Sequence, residues 1–299
     1  MLRVLATVFA ALAGLAFGSF LNVCLTRWPQ AESVVAPRSH CRNCNRVLTW
    51  WENIPLASWL ALRGRCCTCG TWIGWRYPLV EFAVGALWSI AAWRFAGSNL
   101  ASGNWNMDLA TGLTGLVGQL LFYWLLVALA ALDAELLWLP DWLTLPGIAF
   151  GIVFGLARAY FGAASPTTET LQPAQIAVLH AALRIAFSIL CAAGLVLLIR
   201  AVYWLIRRRE GMGLGDAKLM AMLAAWLGFS RALLSFGLGI VLGAFVALLL
   251  LLSPSTQESG DHWSAAKLPL GTFLCVGGIV ASLWGNQMIA AYLHWAGFY

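Results

Sequence analysis

The chain has 299 residues, of which 61% are hydrophobic and only 10% are charged, and its formal net charge is +6. A composition this apolar excludes an ordinary soluble domain and predicts a membrane protein built from helices. Most arginines lie between the apolar runs. We therefore read the positive charge as membrane topology and expect contact with lipid and no nucleic-acid partner.

Eight apolar runs follow one another along the chain, and a spanning helix needs about 20 such residues. The runs cover residues 2–24, 79–95, 112–132, 143–161, 176–206, 219–229, 232–252 and 270–283. The first run exceeds the core of a signal peptide and no small-residue cleavage pattern follows it, so we expect an uncleaved span. The short run 219–229 is predicted to cross the membrane or to form a re-entrant half-helix. The predicted fold is all-α and polytopic, with about eight transmembrane helices.

The connection at residues 27–77 carries seven arginines against two glutamates. The positive-inside rule places this connection in the cytoplasm and the N-terminus outside. The later connections then alternate between outside (97–108 and 162–173) and inside (133–141 and 253–267). This topology places Asp133 and Asp216 at cytoplasmic helix ends.

Five of the eight cysteines also lie in that first connection. Cytoplasmic thiols stay reduced, so metal ligation is favoured over disulfides. Two C-x2-C pairs separated by 21 residues supply the ligands of a structural zinc site: Cys41, Cys44, Cys66 and Cys69. Cys67 is a surplus thiol in the second pair. The alternative is a pair of reduced turns without a metal.

Two aspartates stand at the ends of apolar runs. Asp216 follows two glycines in Gly213-Leu214-Gly215, and Asp133 closes the run 112–132. A carboxylate at a membrane boundary is a functional candidate. Two carboxylates in one poorly hydrated site share a proton, so that one acts as a base and the other as an acid, which is aspartic-protease chemistry. The alternative is that Asp216 caps a helix and Asp133 lies in interfacial water.

A third aspartate competes with Asp133 for the catalytic role. Asp141 follows Pro140 and precedes an apolar run, which favours a helix N-cap. Lys218 lies close to Asp216 and is expected to neutralise a carboxylate or to reach a lipid phosphate. There is no G-x-S-x-G motif and no His-Glu-x-x-His motif, which disfavours a serine hydrolase or a zinc protease.

Several blocks, taken together and in order, resemble the type IV prepilin leader peptidase family of bifunctional peptidases and N-methyltransferases. The first blocks are Gly18-Ser19-Phe20-Leu21-Asn22-Val23, the two cysteine pairs, Trp51-Glu52-Asn53-Ile54-Pro55, Ser58-Trp59-Leu60 and Arg63-Gly64. The later blocks are Arg76-Tyr77-Pro78-Leu79-Val80-Glu81, Asp133 with Leu139-Pro140-Asp141-Trp142-Leu143-Thr144-Leu145-Pro146, and Gly213-Leu214-Gly215-Asp216-Ala217-Lys218-Leu219. The resemblance covers most of the chain.

The resemblance implies an enzyme of the bacterial inner membrane that cleaves the short basic leader from prepilins and pseudopilins at the cytoplasmic face. The new N-terminus is then methylated from S-adenosylmethionine. It implies that Asp133 and Asp216 are the catalytic pair and that the four paired cysteines bind zinc. No glycine-rich nucleotide motif locates the methyl donor, so the donor-binding residues are unknown.

The implied domains are a first transmembrane helix at 1–24, a cytoplasmic zinc-binding region at 25–77 with the methyltransferase function, and a membrane peptidase domain at 78–299. Two other functions remain open. The protein could be a leader peptidase without methyltransferase activity, or a non-catalytic zinc-knuckle scaffold of a secretion system. A transporter is disfavoured, because both carboxylates map to one membrane face rather than to the midplane.

Overall fold

The computed structural model of the chain describes residues 1–99, 107–163, 173–208, 212–252 and 268–297, and within these ranges there are helices and turns but no β-strand. The predicted all-α fold is confirmed. The helices are α1 (Leu2–Arg27), α2 (Ala57–Ala61), α3 (Arg76–Asn99), α4 (Met107–Leu136), α5 (Asp141–Ala163), α6 (Ala174–Arg207), α7 (Leu214–Leu227), α8 (Phe229–Leu252) and α9 (Leu270–Trp295). Two 3-10 turns, Trp28–Gln30 and Trp51–Asn53, lie in the first connection.

Seven of the described helices are long and apolar enough to cross a membrane: α1, α3, α4, α5, α6, α8 and α9. The eighth predicted span corresponds to α7, which has 14 residues. That length falls short of the roughly 20 residues that a spanning helix needs. Most of the predicted connections 97–108 and 162–173, and all of 253–267, lie outside the described residues.

The first compact unit, Met1–Ala128, contains α1 to α3, the cysteine-rich connection and most of α4. In this unit α1 packs on α3 through two glycines. A β-carbon on Gly14 would lie 2.9 Å from Cα of Gly85, and one on Gly18 would lie 2.7 Å from Cα of Glu81. Small residues permit such close approach of two membrane helices. The pairing holds the end of α1 beside the start of α3.

The second compact unit, Leu129–Tyr299, contains the end of α4 and α5 to α9. Its core is α7, which is buried at positions 217, 219–225 and 227 and packs against α5, α6, α8 and α9. The Trp226 indole N–H donates to the backbone oxygen of Gly147 on α5 at 2.8 Å. The short helix is therefore enclosed by longer ones, which fixes the position of its N-terminus and of Asp216.

Candidate functional sites

Asp133 lies near the end of α4 and is only 5% exposed. Its Oδ2 accepts the backbone N–H of Thr272 at 2.6 Å. The Thr272 hydroxyl has one proton and two acceptors in reach, the same Oδ2 at 3.1 Å and the backbone oxygen of Ala130 at 3.0 Å. Thr272 is the third residue of α9, where a backbone N–H has no partner within its own helix. The positive end of α9 thus holds the buried carboxyl group.

Two glycines make room for this arrangement. A β-carbon on Gly271 would lie 2.9 Å from both Cγ and Oδ2 of Asp133 and 3.0 Å from Cδ1 of Leu139. A β-carbon on Gly215 would lie 3.1 Å from Cβ of Leu139. Leu139 therefore packs against both glycines, and it connects the surroundings of Asp133 to the residue that precedes Asp216.

Asp216 is the third residue of α7, and its Oδ2 accepts the backbone N–H of the N-cap residue Gly213 at 3.1 Å. Gly213 has no side chain to return the bond, so this is half of a capping box. Asp216 lies close enough to Asp133 for the two carboxyl groups to interact electrostatically. The second unit thus brings the two predicted aspartates to the surroundings of Leu139, with Asp133 buried and Asp216 half-buried, and each has one oxygen held by a backbone N–H.

Asp141 has different surroundings. It is the first residue of α5, one position inside the predicted N-cap, and its Oδ1 accepts from Nζ of Lys218 at 2.5 Å. The side chains of Asp141 and Lys218 are 59% and 35% exposed. Solvated ion pairs of this kind contribute little to stability. The pair connects the start of α5 to the first turns of α7. The carboxyl group that interacts with Asp216 is that of the buried Asp133.

The four paired cysteines converge in the first unit. The Sγ atoms of Cys41, Cys44, Cys66 and Cys69 all lie within 4.8 Å of one another, and those of Cys41 and Cys69 are 3.7 Å apart. A tetrahedral zinc ion with Zn–S bonds of about 2.3 Å requires sulfur separations of about 3.8 Å. The donor set and its spacing fit a four-coordinate structural zinc.

The two cysteine turns have the same backbone design. In the first turn, Cys41 N–H donates to the oxygen of Arg46 at 2.9 Å, and in the second turn Cys66 N–H donates to the oxygen of Thr71 at 2.9 Å. Each turn contains one residue with positive φ, Asn45 at 55° and Gly70 at 67°. Asparagine and glycine adopt this conformation most readily. A C-x2-C pair followed by such a residue therefore predicts a metal-binding turn.

The surplus thiol and a buried glutamate connect the two turns. Cys67 donates to Oε1 of Glu52 at 2.9 Å, and Arg46 of the first turn forms an ion pair with the same oxygen. Burial alone would raise the pKa of Glu52, but hydrogen bonds from Cys67, Arg46 and Thr49 outweigh it and lower the pKa to about 2. Glu52 is therefore ionised at neutral pH and holds the two turns together.

The model of the bacterial Peptidase A24 N-terminal domain matches residues 12–95, and that of the type IV leader peptidase family matches residues 120–248. A protein of Stutzerimonas stutzeri named prepilin leader peptidase/N-methyltransferase is 34% identical over 98% of this chain and 96% of its own length. A protein of the same name from Pseudomonas aeruginosa is 33% identical over 96% of this chain and 93% of its own length. Another from Aeromonas hydrophila is 34% identical over 94% of this chain and 92% of its own length.

The chain belongs to the type IV leader peptidase family. The resemblance drawn from the sequence motifs is thereby confirmed. No solved structure matches the chain. The N-terminal match contains the cysteine cluster, and the leader peptidase match contains Asp133, Asp141 and Asp216.

Sequence reasoning missed Thr272 and Gly271, which hold and accommodate the carboxyl group of Asp133. Both follow Pro269 at the start of an apolar run, and proline just before such a run is typical of a helix start. That pattern predicts free N–H groups at Gly271 and Thr272. It does not predict that the carboxylate that accepts from them lies 139 residues earlier in the chain.

Proposed function

We propose that the protein removes the leader from type IV prepilins and pseudopilins with Asp133 and Asp216, and then methylates the new N-terminus. Membership of the type IV leader peptidase family supports the peptidase activity, and the name shared by the relatives supports N-methylation. The observation that carries the mechanism is the arrangement of the two carboxyl groups in the second unit, where the buried Asp133 and the half-buried Asp216 flank Leu139 and each carboxyl group is held by a backbone N–H.

The two carboxyl groups divide the acid and base roles. One ionised aspartate takes a proton from a water molecule, whose oxygen then attacks the scissile carbonyl carbon, and the protonated aspartate donates to the carbonyl oxygen. As the tetrahedral intermediate collapses and the carbon–nitrogen bond breaks, the aspartate that took the proton from water passes it to the leaving nitrogen, and the other aspartate takes back its proton from the hydroxyl group that becomes the carbonyl. The Thr272 and Gly213 N–H groups keep one oxygen of each carboxyl group in place, so that the other oxygens can face the substrate.

We place this chemistry at the cytoplasmic face of the bacterial inner membrane. The seven apolar helices and the family support a multi-pass inner-membrane protein. The orientation rests on the seven arginines of the connection 27–77. A substrate with a basic leader in the cytoplasm and an apolar helix in the bilayer would present its cleavage site at that boundary, in contact with lipid.

We assign zinc to Cys41, Cys44, Cys66 and Cys69. Four thiolates fill a tetrahedral coordination sphere and leave no position for a reactive water, so the ion has a structural role. The connection is too small to build its own hydrophobic core, and the metal supplies the stability that it lacks. Glu52 and Cys67 hold the two turns side by side.

We propose S-adenosylmethionine as the methyl donor. When bound, it would supply an electrophilic methyl group to the new terminal amine, which would lose a proton, and the sulfonium sulfur would keep the bonding electrons as a thioether. The functional division that we propose is a first transmembrane helix at 1–24, a cytoplasmic zinc-binding and methyltransferase region at 25–77, and a peptidase domain at 78–299.

A single assay tests the whole proposal. Purified full-length protein in detergent is incubated with a prepilin and S-adenosylmethionine, and the pilin is weighed by mass spectrometry. We expect loss of the leader followed by gain of one methyl group. Cleavage without methylation would leave a peptidase alone, and an unchanged prepilin with zinc-loaded, folded protein would favour the scaffold.

A further inference from the structure

A cavity of about 780 Å³ lies in the first unit, beside the end of α1, the start of α3 and the two cysteine turns. Small-molecule sites in proteins are typically about 300–1,000 Å³. The lining combines the carboxylates of Glu52 and Glu81, the amide of Asn22 and the rings of Trp59 and Trp72. Neither leader cleavage in the second unit nor a closed structural zinc site uses this space.

Asn22 leaves a buried acceptor at this cavity. The side chain is 2% exposed, and its Nδ2 donates to the backbone oxygen of Tyr77 at 2.9 Å. Because that carbonyl can only accept, the orientation of the amide is fixed. The amide oxygen Oδ1 is buried and has no hydrogen-bond partner among the described residues. A buried amide oxygen without a donor is costly, and a bound ligand that donates would remove the cost.

Glu81 provides a second acceptor in the same region. It is 7% exposed, and its Oε2 accepts the backbone N–H of Leu56 at 2.8 Å. Ser19 and Asn22 of α1 adjoin this carboxyl group. A carboxylate accepts about four hydrogen bonds, so with Leu56, Ser19 and Asn22 in place Glu81 has room for about one more from a ligand. The other buried carboxylate of the lining, Glu52, is engaged by Arg46, Cys67 and Thr49.

The two arginines of the lining, Arg27 and Arg42, donate to backbone carbonyls and keep their positive charges. Arg27 donates to the oxygens of Ser33 and Pro37 at 2.8 and 2.6 Å, and Arg42 donates to the oxygen of Thr26 at 3.2 Å. Asn22 Oδ1 and the Glu81 carboxylate at the α1–α3 end of the cavity therefore offer acceptors to a ligand. They suit a ligand that carries hydrogen-bond donors, and Glu81 suits one that also carries a positive charge.

Another part of the lining is aromatic. The ring centroids of Trp59 and Trp72 are 5.7 Å apart, and the Trp59 indole N–H donates to the backbone oxygen of Ile73 at 3.0 Å. The bond holds the Trp59 ring in one orientation. Flat heterocycles such as purines bind against aromatic rings of this kind.

We propose that this cavity binds S-adenosylmethionine, with Asn22 Oδ1 and the Glu81 carboxylate as acceptors for its hydroxyl or amino groups. Glu81 also balances the charge of its sulfonium, and the tryptophans contact its purine. The assignment rests on the methyltransferase activity proposed above and adds to it the residues that bind the donor.

The test is direct binding of the donor to full-length, zinc-loaded protein in detergent, measured by calorimetry without a pilin. Loss of a hydrogen bond to a charged or buried group typically weakens binding by about 10- to 100-fold. We expect a loss of this size for Asn22→Leu and for Glu81→Gln. Glu135→Gln removes an exposed carboxylate of the second unit and is the matched control with unchanged affinity.

Further readouts keep the result independent of misfolding. Melting temperature and zinc content show whether each variant is folded. Ultraviolet crosslinking of labelled S-adenosylmethionine to the wild-type protein, mapped by mass spectrometry, needs no variant, and we expect adducts on residues that line the cavity. S-adenosylhomocysteine lacks the sulfonium charge, so Glu81→Gln should weaken its binding less than that of the methylated donor.

The possible results separate the two proposals. Unchanged donor affinity in folded Asn22→Leu and Glu81→Gln proteins, or adducts confined to other residues, would overturn the cavity assignment and leave the methyltransferase proposal intact. If wild-type protein binds no S-adenosylmethionine, the choice of donor fails and the assignment with it. If Glu81→Gln weakens the binding of a basic leader peptide but not that of S-adenosylmethionine, the cavity binds the leader and the assignment is wrong.

Discussion

The space at Gly271 provides a sharp test of how Asp133 is positioned, because the change Gly271→Ala adds one methyl group beside the carboxyl carbon. The new β-carbon would lie 2.9 Å from Cγ and Oδ2 of Asp133, whereas ordinary van der Waals contact begins at 3.4 Å. The carboxyl group or the start of α9 must therefore move by about 0.5 Å to accommodate it.

The expected loss of activity follows from that displacement. A misplacement of about 1 Å in a catalytic group can lower the rate by about 100-fold, so a shift of about half that size predicts a loss of about 10-fold or more. The free energy of unfolding should fall by only about 0–2 kcal/mol. Overpacking costs about 1–3 kcal/mol, and replacing a helical glycine by alanine returns up to about 1 kcal/mol.

The assay is the kcat/KM for cleavage of a prepilin, measured beside the melting temperature and zinc content in the same detergent. Gly194→Ala on α6 is the matched control, because a β-carbon there meets no described atom within 4 Å. It makes the same chemical change in a helix interior and should cleave at the wild-type rate.

Two results would refute the reasoning. Wild-type cleavage by Gly271→Ala would mean that the position of the Asp133 carboxyl group does not matter for the reaction. An equal loss in Gly194→Ala would mean that helix glycines affect activity through general stability rather than through contact with Asp133.

Three further changes test other parts of the account. Thr272→Val removes the hydroxyl beside Asp133 and should lower kcat/KM about 5-fold, whereas Thr272→Ser keeps the hydroxyl and should retain the rate; equal values would show that the hydroxyl is dispensable. Lys218→Gln breaks the solvated pair with Asp141 and should change cleavage by less than about 5-fold; a loss as large as that of a dyad variant would give Lys218 a role in the reaction. Glu52→Gln weakens the contacts between the two cysteine turns and should reduce zinc affinity by about 10-fold in a chelator competition. The control Glu32→Gln changes an exposed carboxylate of the segment 27–77 and should leave zinc affinity unchanged. Equal zinc affinities in the two variants would show that Glu52 does not link the turns.

Much of the fold could be predicted because hydropathy and charge act locally along the chain. The seven long helices follow from apolar runs, and the convergence of the four cysteines follows from their paired spacing. The family could be recognised because its blocks occur in order. The boundaries were less predictable. The short helix was expected from residue 219 but begins at Leu214, because its first turn is stabilised by the Asp216 carboxylate, which accepts the N–H of the N-cap residue Gly213, rather than by apolar character.

The details of the candidate sites depend on contacts between distant segments, which no local pattern encodes. The sequence suggested that Asp133 and Asp216 meet, but not that Thr272 holds the former. Asn22 and Glu81 lie 59 positions apart and adjoin only because α1 and α3 pack closely. Such residues look like ordinary members of apolar helices until the packing is known.

The measurement that tests the central claim most directly is prepilin cleavage by Asp133→Asn, Asp141→Asn and Asp216→Asn proteins, each shown to be folded and zinc-loaded. Asparagine keeps the size of the side chain and removes its proton chemistry. The two-aspartate mechanism predicts loss of cleavage for Asp133→Asn and Asp216→Asn and near wild-type cleavage for Asp141→Asn. Loss in Asp141→Asn and Asp216→Asn, with activity kept in Asp133→Asn, would move the partner to Asp141. Full activity in all three would contradict the mechanism.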